Sequence, residues 1–399
     1  MKTVSFYTLG CRSNQYETSL IKKMLSPSCN IKDGFSEACD IFIINSCLVT
    51  HDAERKSRQA IGRAVRDGKQ VIVTGCYSDL EENQVKQLFP EVQILKKDNL
   101  NEIYNFISLP KASIGTSPNS GRIRANLMIE NGCENYCAYC IVPFARGKIK
   151  SKRPAEVLCE AKQLVESGIK EIVLCGINLG AYQYSLVKII DSISEIDNLL
   201  RVRLSSIEPM HVAQNLIKTI RDNPKACRHI HMPLQTADDL LLKKMGRNYR
   251  AKDYAKIVKS IRKNIPLCAI SCDLIVGLPG ETDAAFLNSI NFIKEMKFSG
   301  IHLFPYSKRP QTKAFSMPDQ IDPKTIKKRM LLLQDLRDKY KNEFIDKFSG
   351  SKVEVLVEKP GEGLTDNFIR VSFNNRQIPT GELYELIFDI KKNREPNSP

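Results

Sequence analysis

No run in this 399-residue sequence approaches 18 consecutive apolar residues, which excludes an ordinary membrane-spanning helix. The opening residues, MKTVSFYTLGC, lack the apolar core and small-residue cleavage site of a secretory signal, so the cytoplasm is the expected compartment and no membrane partner is expected. Low-complexity tracts are missing too. With 42% hydrophobic and 26% charged residues, the composition is that of an ordinary folded protein. Histidine is scarce, at 5 residues, and only His229 and His231 stand close together. That pair is expected to alternate on a strand with one ring facing inward, which suits a structural role better than a metal site.

Cysteine and basic residues, by contrast, are plentiful. Thirteen cysteines, an odd number in a reducing compartment, argue for metal ligands, catalytic groups or small core residues rather than a disulfide framework. The net charge is +15, from 60 Lys and Arg against 45 Asp and Glu. Residues 1 to 110 carry 14 basic against 13 acidic residues, residues 348 to 399 carry 7 against 8, and residues 111 to 347 carry 39 against 24. The whole excess therefore lies in the middle of the chain, an electrostatic footprint for a polyanion such as nucleic acid.

A chain of this length exceeds one ordinary core, and its patterning divides it into units of residues 1–112, 117–347 and 348–399. Early apolar, β-rich runs at 4–9, 41–46 and 71–74 alternate with helical stretches, the signature of a parallel sheet flanked by helices. Residues 111–122, KASIGTSPNSGR, read as a linker. Strand candidates then recur at 126–130, 171–176, 201–206, 228–234, 268–277 and 300–305, and six such repeats predict a partial or open α/β barrel. Pro154 opens a crossover helix whose Val157, Leu158, Ala161, Leu164 and Val165 share one face, with Gly168 ending it. After a charged helix over 322–347, VEVLV, FIRVSF and YELIFDI predict a small accessory β unit.

The motif NGCENYCAYC places Cys133, Cys137 and Cys140 in one loop directly after the first barrel strand. Soft thiolates select iron–sulfur clusters or zinc. A four-iron cluster held by three thiolates keeps one iron open for a substrate ligand, whereas a structural zinc site needs a fourth protein ligand that no nearby Cys or His supplies. Cys11, Cys47 and Cys76 are far apart, yet each ends an apolar run, in YTLGC, IINSC and VTGC. In a parallel sheet all three would emerge at the carboxyl edge, where open α/β sheets bind ligands. Three scattered cysteines are also compatible with plain core packing.

The chain resembles the radical S-adenosylmethionine methylthiotransferases over nearly its whole length. TLGCRSNQYET at 8–18 is similar to the branch acting on threonylcarbamoyladenosine in tRNA, and YCIVPFARGKIKSKRP at 139–154, HMPLQTADDLLLKKMGRNY at 231–249, DLIVGLPGET at 273–282 and HLFPYSKRPQTKAFSMPDQ at 302–320 extend the match. The departures, Ser13 after Arg12 and Cys175 in LCGINLGAY, touch no expected ligand. The resemblance implies an N-terminal α/β sandwich with an auxiliary 4Fe-4S cluster on Cys11, Cys47 and Cys76. It implies a central partial (β/α)6 barrel with a second 4Fe-4S cluster on Cys133, Cys137 and Cys140, and a small C-terminal TRAM β-barrel. The implied activity is methylthiolation of an adenosine beside the anticodon, with S-adenosylmethionine as cofactor, a reducing electron donor, and the tRNA anticodon stem-loop as partner. Methylthiolation of a ribosomal protein side chain and a non-catalytic, zinc-containing RNA-binding protein are the alternatives.

Around that cofactor, Tyr139 lies between two ligands and could pack on its adenine, and Gly176 and Asn178 end the second barrel strand. Ser206, Glu208 and Gln235 end later strands and point toward the barrel mouth. Arg146, Lys148, Lys150, Lys152 and Arg153 crowd the loop after the cysteines, where RNA phosphates are expected. Cys29, Cys39, Cys159, Cys175, Cys227, Cys268 and Cys272 have no partner at ligand spacing and are expected to pack in the core.

Overall fold

The computed structural model describes residues 1–36, 38–109, 122–375 and 377–390. The expected linker, and with it the boundary between 112 and 117, lies almost wholly outside the described residues. The N-terminal part is a parallel sheet of β1 (Lys2–Thr8), β2 (Cys29–Asp33), β3 (Ile41–Ser46), β4 (Gln70–Gly75) and β5 (Gln93–Ile94), in the order β2-β1-β3-β4-β5. β3 is buried at every position because helices cover both faces, which is why its sequence is continuously apolar rather than alternating. β2 was not expected, since CNIKD is polar: it is an edge strand and needs only one covered face.

The middle of the chain begins with β6 (Arg124–Met128), followed by the two-residue hairpin partners β7 (Glu130–Asn131) and β8 (Lys150–Ser151). Five further strands continue from β6: β9 (Glu171–Cys175), β10 (Arg201–Leu204), β11 (His229–His231), β12 (Ala269–Val276) and β13 (Gly300–Pro305). The parallel trios β10-β9-β6 and β11-β12-β13 join through bridges at Val202–Ala226 and Ser206–His231, giving six parallel strands in the order β6-β9-β10-β11-β12-β13. Alternation assigns the faces. Leu127, Ile172, Leu174, Val202, Ile230, Ile270, Cys272, Leu274 and Ile301 pack in the largest core, against helices such as Pro154–Glu166, so the intervening residues face the barrel interior. His229 and His231, two residues apart, therefore face the same way. Both hydrogen-bond Ser271 Oγ, at 3.2 and 2.9 Å.

Helix Pro323–Asp346 leads to β14 (Lys352–Lys359), β15 (Glu362–Thr365), β16 (Arg370–Ser372) and β17 (Leu383–Ile387). These form a four-stranded antiparallel sheet, ordered β16-β15-β14-β17, at the place where a small β-barrel was expected. It seals the amino-terminal end of the barrel. Arg201 donates to Leu364 O, and Arg203 donates to Asp366 O (2.8 Å) and Thr365 O (3.2 Å) while pairing with buried Glu171 at 2.7 Å. Phe368 stacks on His229 at 4.8 Å between ring centroids. Of the seven spare cysteines, six are buried; Cys159 is exposed, because on its helix Val157, Ala161 and Val165 face inward and position 159 faces out.

Candidate metal centre and cofactor site

The loop bearing Cys133, Cys137 and Cys140 is pinched at its base by the β7–β8 pair. Gly132 is indispensable there: its φ is +96°, and a Cβ would sit 2.2 Å from Lys148 O. The Cys133 N–H donates to Gly147 O at 3.1 Å, and the Cys140 N–H donates to Cys137 O at 2.9 Å. The loop is pinned from across the barrel by the Ala138 N–H to Met245 O (2.9 Å) and the Ala314 N–H to Ala138 O (2.7 Å). Burial pushes the Cys140 thiol up to about 12, and repulsion from ionised Cys137 and Cys133 adds to it. A cation faces the trio. Arg247 Nη1 lies 3.4 Å from Cys137 Sγ, and the same guanidinium pairs with Glu208. Glu208 is therefore engaged by the protein itself, and Arg247 is a functional candidate that motif reading passed over.

The second trio is assembled from three strand ends. Cys11 follows β1 as the residue before helix Arg12–Leu25, Cys47 follows β3, and Cys76 directly follows β4 and opens a short helix, Cys76–Leu80. Parallel strands deliver all three to the carboxyl edge. Gly10 (φ +99°) and Gly75 (φ +100°) make the turns, and a Cβ on Gly75 would meet Ser46 O at 2.4 Å. Asn14 fastens the cysteine-bearing turns together, its Nδ2 donating to Asn45 Oδ1 at 2.7 Å and Ser46 O at 3.1 Å. Burial pushes the Cys47 thiol up to about 11, with further repulsion from Cys76 and Cys11. Two cations answer this: Lys97 Nζ, 3.5 Å from Cys76 Sγ, and Arg146, in electrostatic range of both Cys76 and Cys11.

Arg146 is thus not a surface cation. Its side chain is 1% exposed and pairs with Glu17 at 2.7 Å. It also donates to Asn14 Oδ1 (2.9 Å) in the N-terminal sheet unit and Asn131 Oδ1 (3.0 Å) in the barrel unit. Lys152 is likewise occupied, pairing with Glu160 and lying against Tyr16. Arg153 is exposed and pairs with Glu156 at 2.7 Å as part of a helix-capping arrangement. Lys150 is exposed, 3.6 Å from Asp98, and Lys148 is exposed. Asn14 and Glu17 belong to the NQYET segment, which sequence reading used as a family label without assigning its side chains.

A carboxylate also organises the end of β9. Gly176 has no room for a side chain, since a Cβ would lie 2.5 Å from Glu130 Oε2; the same oxygen accepts the Asn178 N–H at 2.7 Å. Glu130 is buried, and desolvation pushes its carboxyl up to about 7. Its other oxygen, Oε1, and Asn178 Oδ1 are buried acceptors without a donor among the described residues, so this corner fits a ligand bearing N–H groups, such as the ammonium of a methionyl group. Ser206 stands beside His231 through a β-bridge, Gln235 turns with φ +67°, and Tyr139 is partly buried against Leu241 and Met245.

The donor sets bear on the metal. Each trio offers three soft thiolates, a set that suits an iron–sulfur cluster with one iron left open to a further ligand. Among the described residues, the group of His, Cys, Asp and Glu whose ligand atoms all lie within 4.8 Å of one another is His231, Asp273 and His302. Hydrogen bonding accounts for that group, with Asp273 Oδ1 at 3.1 Å from His231 and 3.3 Å from His302.

Comparison with known proteins places these features in a class. Residues 127–293 match the Radical SAM superfamily model, and residues 3–96 match the one described as Uncharacterized protein family UPF0004. The chain also shares a fold with the radical S-adenosylmethionine methyltransferase TsrM from Kitasatospora setae. The TM-score is 0.59 at 14% identity, over 79% of this chain and 77% of that one. It is 33% identical to the threonylcarbamoyladenosine tRNA methylthiotransferase MtaB of Bacillus subtilis, over 97% of this chain and 93% of the relative. It is 32% identical to the tRNA-2-methylthio-N(6)-dimethylallyladenosine synthase of Endomicrobium trichonymphae, over 90% and 89%. The chain belongs to the radical S-adenosylmethionine methylthiotransferase family.

Proposed function

We propose that this protein is a cytoplasmic tRNA-modifying enzyme that places a methylthio group on C2 of N6-threonylcarbamoyladenosine beside the anticodon. Its cofactors are two 4Fe-4S clusters and S-adenosylmethionine. The names of the MtaB relatives support the substrate, and one observation carries the mechanism. The two cysteine trios are joined by helix Val142–Arg146, which starts two residues after Cys140 and ends in the side chain that faces Cys11 and Cys76. At 1.5 Å per residue this connector is about 8 Å long, short enough for the two cysteine sites to serve one substrate position.

Bound there, the clusters and S-adenosylmethionine supply the radical and sulfur chemistry that C2 requires, because that carbon has no acidity for general-base catalysis. The chain's own residues bind and position. Cys133, Cys137 and Cys140 would hold one cluster. Glu130 Oε1 and Asn178 Oδ1 would accept hydrogen bonds from the methionyl ammonium, with Gly176 leaving room for the Glu130 side chain. Tyr139, Ser206 and Gln235 would line the rest of the cofactor site. Arg247 and Glu208 set the charge behind Cys137, while Arg146 and Lys97 do so behind the auxiliary trio. Lys148, Lys150 and Arg153 face solvent beside this mouth and are the proposed phosphate contacts, and a reducing partner supplies electrons.

Mass spectrometry of tRNA nucleosides from a strain lacking this chain should show loss of the 2-methylthio group from threonylcarbamoyladenosine, restored by the intact gene. Persistence of the group would remove the assignment. Anaerobic reconstitution should give about eight irons per chain; stoichiometric zinc instead would restore the RNA-binding alternative.

A further inference from the structure

Charges at the two cysteine sites are almost all matched within the chain. Arg146 pairs with Glu17, Arg247 with Glu208, Lys97 with Asp79 and Lys152 with Glu160. Arg12 is different. It is the first residue of its helix and the direct neighbour of Cys11. Its guanidinium reaches across to the barrel, where Nη1 donates to Asn126 Oδ1 at 3.3 Å. Asn126 is on the interior face of β6, the edge strand that borders the barrel's open side. Among the described residues no carboxylate comes within ion-pairing distance of Arg12. Glu171, the carboxylate that acts on Arg12 electrostatically, is taken up by Arg203 at 2.7 Å and by Arg124 at 3.9 Å. Arg124 and Arg203 add like charge around Arg12. A half-buried cation among other cations, with only a neutral amide as partner, is costly to keep unless an anion arrives.

We propose that Arg12 is a specificity-determining residue whose guanidinium pairs with the carboxylate carried by the N6 substituent of the substrate adenosine. This rests on the functional reading above. A threonylcarbamoyl group ends in a free carboxylate; the dimethylallyl group named for the Endomicrobium relative is an uncharged hydrocarbon. The two groups hang from the same atom of the same base, so a scaffold shared at near-equal identity must tell them apart within the site. A planar guanidinium takes a carboxylate through two parallel hydrogen bonds, which supplies orientation as well as charge. The substituent is attached at C6, one ring nitrogen away from C2, so holding its carboxylate at the guanidinium also orients the reacting carbon within the site.

The test uses the reconstituted full-length enzyme and two anticodon stem-loops that differ only in whether the adenosine carries the threonylcarbamoyl group. Binding of each is measured without turnover. Wild type should prefer the modified loop by about tenfold to a hundredfold, the range expected for a charged hydrogen-bonded pair. Arg12→Gln should bring that ratio close to one while leaving affinity for the unmodified loop, affinity for S-adenosylmethionine and iron content as in wild type. Arg12→Lys should retain part of the preference. An unchanged ratio in Arg12→Gln overturns the proposal. So does an equal loss for both loops, which would make Arg12 a phosphate contact, or a loss confined to S-adenosylmethionine. If wild type neither prefers nor methylthiolates the modified loop, it is the proposed function that fails, a separate outcome.

Discussion

The two cysteine trios occupy the same kind of place, the carboxyl edge of a parallel sheet, and are built in opposite ways. Cys133, Cys137 and Cys140 lie within eight residues on one loop, closed by the β7–β8 pair and shaped by backbone hydrogen bonds inside the loop. Cys11, Cys47 and Cys76 come from three strands and meet only because β1, β3 and β4 are adjacent and in register, with Val4 opposite Ile41 and Ile41 opposite Gln70. A local site depends on turn chemistry. A distributed one depends on the whole sheet, and it is fastened by side chains such as Asn14 and Arg146 that lie outside the strand ends.

The largest expected effect breaks the two apart. Replacing Cys133, Cys137 and Cys140 by Ala should lower iron from about eight to about four per chain and abolish cleavage of S-adenosylmethionine. Replacing Cys11, Cys47 and Cys76 should lower iron equally yet leave that cleavage, read as 5′-deoxyadenosine release, while abolishing methylthiolation. Loss of cleavage in both would show that the sites are not separable.

Arg146→Met tests whether the distributed site leans on its cation. The change strands buried Glu17, 6% exposed, and removes the link between Asn14 and Asn131, so a stability loss of about 3 to 5 kcal/mol is expected by urea unfolding. Arg153→Ala, which breaks an exposed pair, should cost less than about 1 kcal/mol. Comparable losses in the two variants would deny Arg146 its structural role.

Glu130 probes the local site through pH. Its carboxyl is raised to about 7 in the folded chain, above the ordinary carboxylate range. The folded state therefore binds the proton more tightly than the unfolded one. Glu130 contributes stability while protonated, and that contribution is lost as pH rises from about 4.5 through 7, up to about 3 kcal/mol. Thermal unfolding of the apo protein should show that slope, and Glu130→Gln should flatten it. An unchanged slope would place the titration elsewhere.

The smallest effect concerns the surface. Lys148→Glu with Lys150→Glu should weaken tRNA binding modestly and reduce the salt slope by roughly one per lost phosphate contact. The C-terminal unit is formally at −1 (7 basic against 8 acidic residues), so matched substitutions there should do less.

Much of the architecture was legible because it rests on short-range pattern. Continuous apolar runs mark buried parallel strands, Pro154 and Gly168 bracket a helix, and C-x3-C-x2-C sets three thiols within one loop. Edge strand β2 escaped because an edge needs only one covered face, and its sequence carries little apolar signal. The fate of the basic loop was not legible either. Arg146 and Lys148 are two residues apart in a run of cations, and nothing local says that one is buried against Glu17 while the other meets solvent.

By itself, then, the sequence determined the strand and helix periodicities, the loop that carries Cys133, Cys137 and Cys140, and, through its motifs, the family. Only the tertiary structure decided which charges are already paired. Ion pairing is set by which side chains a fold brings within a few ångströms, and the partners here are far apart along the chain: Glu17 with Arg146, Glu208 with Arg247, Glu54 with Arg309. That matching is what singles out Arg12, an arginine indistinguishable in sequence from the rest, as a cation in the site without an anionic partner among the described residues.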